Sequence, residues 1–219
     1  MSILEKINQS LLNEQNEKKA TRERSGKLAP SQFGKCYRAQ ILRQRKTEET
    51  NPPDVVSLRK FKVGNIFHDF VQSYVPVDAV EVLIENEDVK GYADIVSNDS
   101  VVDIKSIHSQ YFWRVEKKKD YNIQKEKYTN WLQVCYYALQ LGKKYAKLLL
   151  VSKDDLYTVE YTQVAEDWKD DIECELHYLK CWRDSNKLPP AEPRAYNGKE
   201  CNWCPYRDLC KSIEEEKEQ

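Results

Sequence analysis

Two short apolar runs separated by four polar residues set the tightest constraint in this sequence. Gly91-Tyr92-Ala93-Asp94-Ile95-Val96 is followed, after Ser97-Asn98-Asp99-Ser100, by Val101-Val102-Asp103-Ile104-Lys105. Both runs hold residues that favour strands, and Asn and Asp at the centre of the joining segment suit a tight turn. With Ser97 paired to Ser100, counting back brings Asp94 opposite Asp103, their Cβ atoms about 5 Å apart. Lys105 lies two residues beyond Asp103 and shares its face. Two carboxylates facing each other across a half-buried strand pair repel, and a divalent cation that prefers oxygen ligands removes the conflict. The competing reading is a solvated hairpin in which Lys105 neutralises one acid.

Hydrophobic periodicity places this hairpin in a longer alternation of elements. Residues 79–85 alternate as a strand does, and the runs 88–97 and 100–106 complete a set of three. Strand-like runs recur at 145–152 and 156–163. Helical periodicity covers 31–45, with Ser31 as its N-cap, then 58–74, 122–141 and 166–186. Residues 46–54 and 188–199 are charged or Pro-rich and read as connections. Residues 1–24 carry Ile3, Leu4, Ile7, Leu11 and Leu12 on a helical stripe that either docks or frays. This order predicts an α/β sandwich around one mixed sheet. A chain of 219 residues is expected to form one domain: a helical segment at 1–57, a core at 58–187, and a C-terminal segment with an acidic tail at 188–219.

The charges nearly balance, 35 basic against 36 acidic residues, so a polyanion would have to be met by a local excess. Residues 105–147 hold one, with ten Lys or Arg against Glu116, Asp120 and Glu126. Within it Arg114, Lys117, Lys118, Lys119, Lys125 and Lys127 form a candidate DNA-binding face, although a solvated helix face has the same composition. No stretch approaches a membrane span and the N-terminus lacks a signal peptide's apolar core, which points to the cytoplasm. Thiols there stay reduced, so the seven cysteines suggest metal rather than disulfides. Cys201-x2-Cys204-x5-Cys210 is a compact thiolate group whose fourth ligand must come from elsewhere. Cys135, Cys174 and Cys181 read as packing residues on helices.

His68 sits in an otherwise apolar helix, and alone it fits a satisfied core histidine equally well. It is followed in order by Gly91-x-x-Asp94, Asp103-Ile104-Lys105 and Gln133-x-x-x-Tyr137, the last two residues sharing a helix face. Taken together, residues 68–137 resemble the RecB-like branch of the PD-(D/E)XK nuclease superfamily. Ala93 stands where the motif's name has proline, and the triplet opens with Asp103 where glutamate is commoner. The resemblance implies a restriction-endonuclease-like core that hydrolyses phosphodiester bonds of DNA with Mg2+ or Mn2+. It further implies that His68, Asp94, Asp103 and the backbone carbonyl of Ile104 hold the cation. Lys105 would then orient or activate the attacking water, while Gln133 and Tyr137 position the DNA strand or the lysine.

Ser31-x-Phe33-x-x-Cys36-x-Arg38 resembles the N-terminal segment of iron–sulfur nucleases in that branch, the AddB-type helicase-nucleases and the CRISPR-associated RecB-like exonucleases. Those families usually have proline where Tyr37 stands. The resemblance implies that Cys36 joins Cys201, Cys204 and Cys210 around a structural [4Fe–4S] cluster. Structural zinc is the competing reading, although zinc sites usually offer two close pairs of ligands. Either metal would close a loop around most of the chain, contributing roughly 4–5 kcal/mol by restricting the unfolded state. The absence of a Gly-rich phosphate loop points to the CRISPR-associated exonucleases or viral relatives rather than the helicase fusions. The expected function is a metal-dependent deoxyribonuclease, an exonuclease acting on DNA ends or single strands. The alternative is a DNA-end-binding adaptor of a recombination or CRISPR adaptation complex with little cleavage of its own.

Overall fold

Alternation of apolar and polar residues resolves into five strands: β1 (Ala79–Glu85), β2 (Lys90–Val96), β3 (Ser100–Ile107), β4 (Tyr145–Ser152) and β5 (Thr158–Val164). They form one sheet in chain order, antiparallel except for the parallel pair β3–β4. The computed structural model describes residues 1–21, 25–76, 79–117 and 122–217, and of 114–117 and 217 it describes the backbone. The predicted turn is present, with the Ser97 amide donating to the Ser100 carbonyl at 2.9 Å. Val96 pairs with Val101 and Ile95 with Val102. Continuing that register by one residue sets Asp94 against Asp103.

The helices are α1 (Ile3–Thr21), α2 (Tyr37–Gln44), α3 (Val55–Tyr74), α4 (Ser109–Lys117), α5 (Ile123–Glu126), α6 (Tyr128–Gln140), α7 (Lys169–Asp184) and α8 (Arg207–Lys217). Alternate residues of β4 separate the two faces of the sheet. Ala146 and Leu148 join a core with Trp131, Val134 and Ala138 of α6 and with Ile172 and Leu179 of α7. Leu149 and Val151 instead meet Ile95, Ile104 and, from α3, Phe67 and Val71. The mixed sheet with helices on both faces agrees with the predicted α/β architecture. Among the described residues no helix is long and apolar enough to cross a membrane.

Several boundaries differ from the sequence reading. The helix expected from Ser31 begins only at Tyr37, because Pro30–Gln32 forms a single 3-10 turn and Gly34, at φ 74°, interrupts the path. Cys36 thereby becomes the residue at the helix entrance. The helix expected over 122–141 is broken at Lys127 into α5 and α6, and α4 and α8 have no counterpart in the sequence pattern. Cys174 and Cys181 are exposed rather than packed, since α7 buries the opposite face through Ile172, Glu175 and Leu179. Cys135 is buried as expected. No residue of α1 is buried, and the helix lies on α3 through Asn8 with Arg59 and Glu14 with Lys62.

Candidate active site

Three carboxylates stand in one row across the first three strands. In the β1–β2 register Val80 pairs with Ile95 and Val82 with Ala93, so Glu81 and Asp94 stand opposite each other between them. Asp103 extends the row on β3. Past Ile95 the ladder to β3 ends, and the Asp94 side chain takes over: its Oδ2 accepts from the backbone amide of Ile104 at 2.7 Å. Asp103 is buried, with Oδ1 accepting from Lys105 Nζ at 2.7 Å, while its Oδ2 finds no partner among the described residues. Such an oxygen costs about 1–3 kcal/mol if nothing meets it. Burial, and then the negative charge of Asp103, raises the Asp94 pKa to about 7. Burial pulls the Lys105 ammonium down, but the charges of Asp103 and Asp94 outweigh it and keep it protonated. A cation would relieve the opposed acids and engage the orphaned oxygen, so the donor set fits a hard divalent metal.

His68 enters from α3, its Nδ1 3.5 Å from Asp94 Oδ2. Burial, followed by the charge of Lys105, lowers its pKa and favours the neutral ring that a metal ligand requires. From α6, Gln133 and Tyr137 are both buried, one turn apart on the same helix. Burial, then the charges of Asp103 and Asp94, pushes the Tyr137 phenol upward, so its hydroxyl stays a neutral donor near the acids. A Cβ on Gly91 would lie 2.3 Å from that hydroxyl oxygen, which explains why glycine precedes Asp94 by three residues.

The predicted basic face is only partly described. Lys118 and Lys119 lie outside the described residues, and Arg114 and Lys117 are placed by backbone on α4. Lys125 is exposed on α5. Lys127 is not a plain surface cation: it is half-buried, its Nζ 4.4 Å from the centre of the Tyr111 ring. Burial and the charge of Lys105 lower its pKa to about 8. Lys35, absent from the sequence reading, is lowered to about 8 by burial and then by the charges of Lys105 and Arg43. Lys35 and Lys127 thus both feel the charge of Lys105. Glu81 is also absent from the sequence reading, which has no register for 79–85 against the strand that follows. The four-residue turn Asn86–Val89, in which the Asn86 side chain accepts from the amides of Asp88 and Val89, sets the register that aligns it.

Of the four cysteines named for a cluster, Cys36 donates its amide to Glu200, next to Cys201, and Cys210 lies beside Arg38, two residues from Cys36. Burial raises the Cys204 thiol, and the charges of Cys36, Cys201 and Cys210 raise it further. Cys36 feels Cys201, and Cys201 feels Cys210. Four sulfur donors suit zinc or an iron–sulfur centre. The surroundings are polar and largely hydrogen-bonded, although Gln40 Oε1 has no partner among the described residues. Buried Arg38 donates to the Pro189 carbonyl at 2.7 Å, to Cys210 Sγ at 3.3 Å and to Glu214 at 2.5 Å. Glu175, also buried, accepts from the Gly34 amide, the Tyr37 hydroxyl, Gln40 and Arg194. Glu200 accepts from the amides of Cys36 and Ala195.

No protein-family model matches this chain, and no curated protein matches it to a significant degree. Among solved structures, one described as SSO0001 matches over 96% of this chain and 96% of its own, with a TM-score of 0.61 and 17% identity. The two share a fold. LHK-Exo in complex with dAMP matches over 72% of this chain and 90% of its own, at a TM-score of 0.48 and 13% identity. The alkaline exonuclease LHK-Exo from Laribacter hongkongensis matches over 72% and 93%, at a TM-score of 0.45 and 13% identity. Likenesses of that degree carry no weight for function, which rests on the side chains of this chain itself.

Proposed function

We propose that the protein is a metal-dependent deoxyribonuclease of the RecB-like PD-(D/E)XK type that acts on DNA ends or single strands and carries a structural [4Fe–4S] cluster. The observation that supports it is the pair Asp94 and Asp103, opposed and buried, with Lys105 on one oxygen of Asp103 and the other oxygen without a partner among the described residues. An adaptor that only held DNA would gain nothing from such a conflict.

In this reading His68, Asp94, Asp103 and the Ile104 carbonyl hold Mg2+ or Mn2+. The cation supplies Lewis acidity and neutralises charge at the scissile phosphate. Lys105, fixed by Asp103, offers an ammonium to the phosphate oxygens where charge builds, and orients the attacking water. Tyr137, set by Gln133, holds the strand or the lysine in line. Cys36, Cys201, Cys204 and Cys210 hold the cluster, for which hydrolysis has no redox use, so its role is to tie the termini. The place of such an enzyme is a CRISPR adaptation or viral recombination system in a cytoplasm, with DNA as its partner.

The test is cleavage of labelled single- and double-stranded DNA by anaerobically purified protein, with Mg2+ or Mn2+ and with EDTA. Cleavage should need the metal, and Asp103→Asn should lower the rate at least about 100-fold while leaving the protein folded and able to bind DNA. Undiminished cleavage by exhaustively metal-stripped protein removes the proposal.

A further inference from the structure

An open groove of about 390 Å³ runs beside His68, lined also by Lys62, Asn65, Ile66, Asp69 and Glu81. Glu81 belongs both to this groove and to the carboxylate row. A ligand atom from each of His68, Glu81 and Asp94 lies within 4.8 Å of the others. Gln72 donates from one amide nitrogen to Glu81 Oε1 at 2.9 Å and to the Asp94 carbonyl at 3.0 Å, which fixes the glutamate against β2. Independently, the next carboxylate of the row, buried Asp103, keeps Oδ2 without a partner among the described residues. Charge points the same way. Once Asp94 gives up its proton, three carboxylates against the ammonium of Lys105 leave two negative charges, which one divalent cation cancels.

We propose that Glu81 is an additional protein ligand of the same single cation, beside His68, Asp94, Asp103 and the Ile104 carbonyl. The inference rests on the reading that this site binds a divalent metal. A third carboxylate raises affinity by adding both an oxygen donor and a charge, and it places the cation at the mouth of the groove. The alternative is that Glu81 serves only as an acceptor for Gln72.

The two are separated by titrating DNA-free protein with Mn2+ and following the free ion by electron paramagnetic resonance, with no activity measurement involved. Wild type should bind one Mn2+. Glu81→Gln, which leaves an exposed and isosteric side chain, should bind it about tenfold or more weakly, with an unchanged melting curve in the absence of metal. Gln72→Leu, which breaks the brace and keeps the carboxylate, should stay within about threefold of wild type. Glu81→Gln at wild-type affinity, an equal loss in Gln72→Leu, or two bound ions in wild type each overturns the role assigned to Glu81. Wild type that binds no Mn2+ at all instead removes the underlying metal reading.

Discussion

A carboxyl group buried beside another holds its proton into the neutral range, and Asp94, raised from 3.8 to about 7, does so through burial and then through Asp103. The sign of the consequence is fixed. The folded protein binds this proton more tightly than the unfolded chain, so metal-free protein gains stability from it below the unfolded value. That gain is lost as pH rises through about 7. A cation must displace the same proton. Mn2+ affinity should therefore climb between pH 5.5 and 7, by up to about tenfold per unit, and level off above. Calorimetric titration at several pH values checks this, and equal affinity at pH 5.5 and 8 contradicts it. Asp94, Asp103 and Lys105 were legible because the turn that opposes them is local and its Asn-Asp centre is specific. Glu81 was hidden because the register of β1 on β2 was not readable, and it stands at φ 50°, where strand periodicity carries no information. Lys35 was illegible for a different reason: it comes under the charge of Lys105, seventy residues away in sequence, only through the fold.

Elements were read best where their signals are internal. The helix α3 has its own cap, the Asp54 side chain accepting from the Ser57 amide at 2.7 Å, and its start was placed within a few residues. For α4 the carboxylate at its first turn comes from Asp154, which accepts from the Ser109 amide at 2.9 Å across a long stretch of chain. Nothing near Ser109 announces it. Packing between elements gives a second prediction at Gly91, where β2 meets α6. Gly91→Ala forces the buried Tyr137 ring or the strand to move and should cost about 1–3 kcal/mol in urea unfolding. Removing the hydroxyl with Tyr137→Phe eases the closest of these contacts, so the double variant should lose less than the sum of the two single variants. Strict additivity would show that β2 and α6 do not press on each other here.

Across the whole molecule, Arg38, Glu175 and Glu200 join the segment around Cys36 to the C-terminal segment by hydrogen bonds, and on the cluster reading the thiols would join the two a second time. The motif containing Cys36 and Arg38 was readable as a resemblance, whereas Glu175 and Glu200, on other elements, were not. On the reading of the thiols as a cluster site, Cys204→Ala should lose its iron and visible colour and melt at a lower temperature. It should remain folded at 25 °C, because the hydrogen bonds persist. A spectrum and a thermal melt decide it, and a variant that keeps both its iron and its melting point overturns the assignment.

The parallel pairing of β3 with β4 obliges the chain to leave the sheet after Ile107 and return at Tyr145. That excursion contains α4, α5 and α6, and with them Lys127, Gln133, Tyr137 and the basic segment. The carboxylates stay behind on β1, β2 and β3. On the nuclease reading, the cation's ligands and the groups that would meet DNA therefore fall on separate stretches of the chain. The stretch before α6 could then be lengthened, shortened or recharged to change which DNA is accepted, with the carboxylate row left as it is.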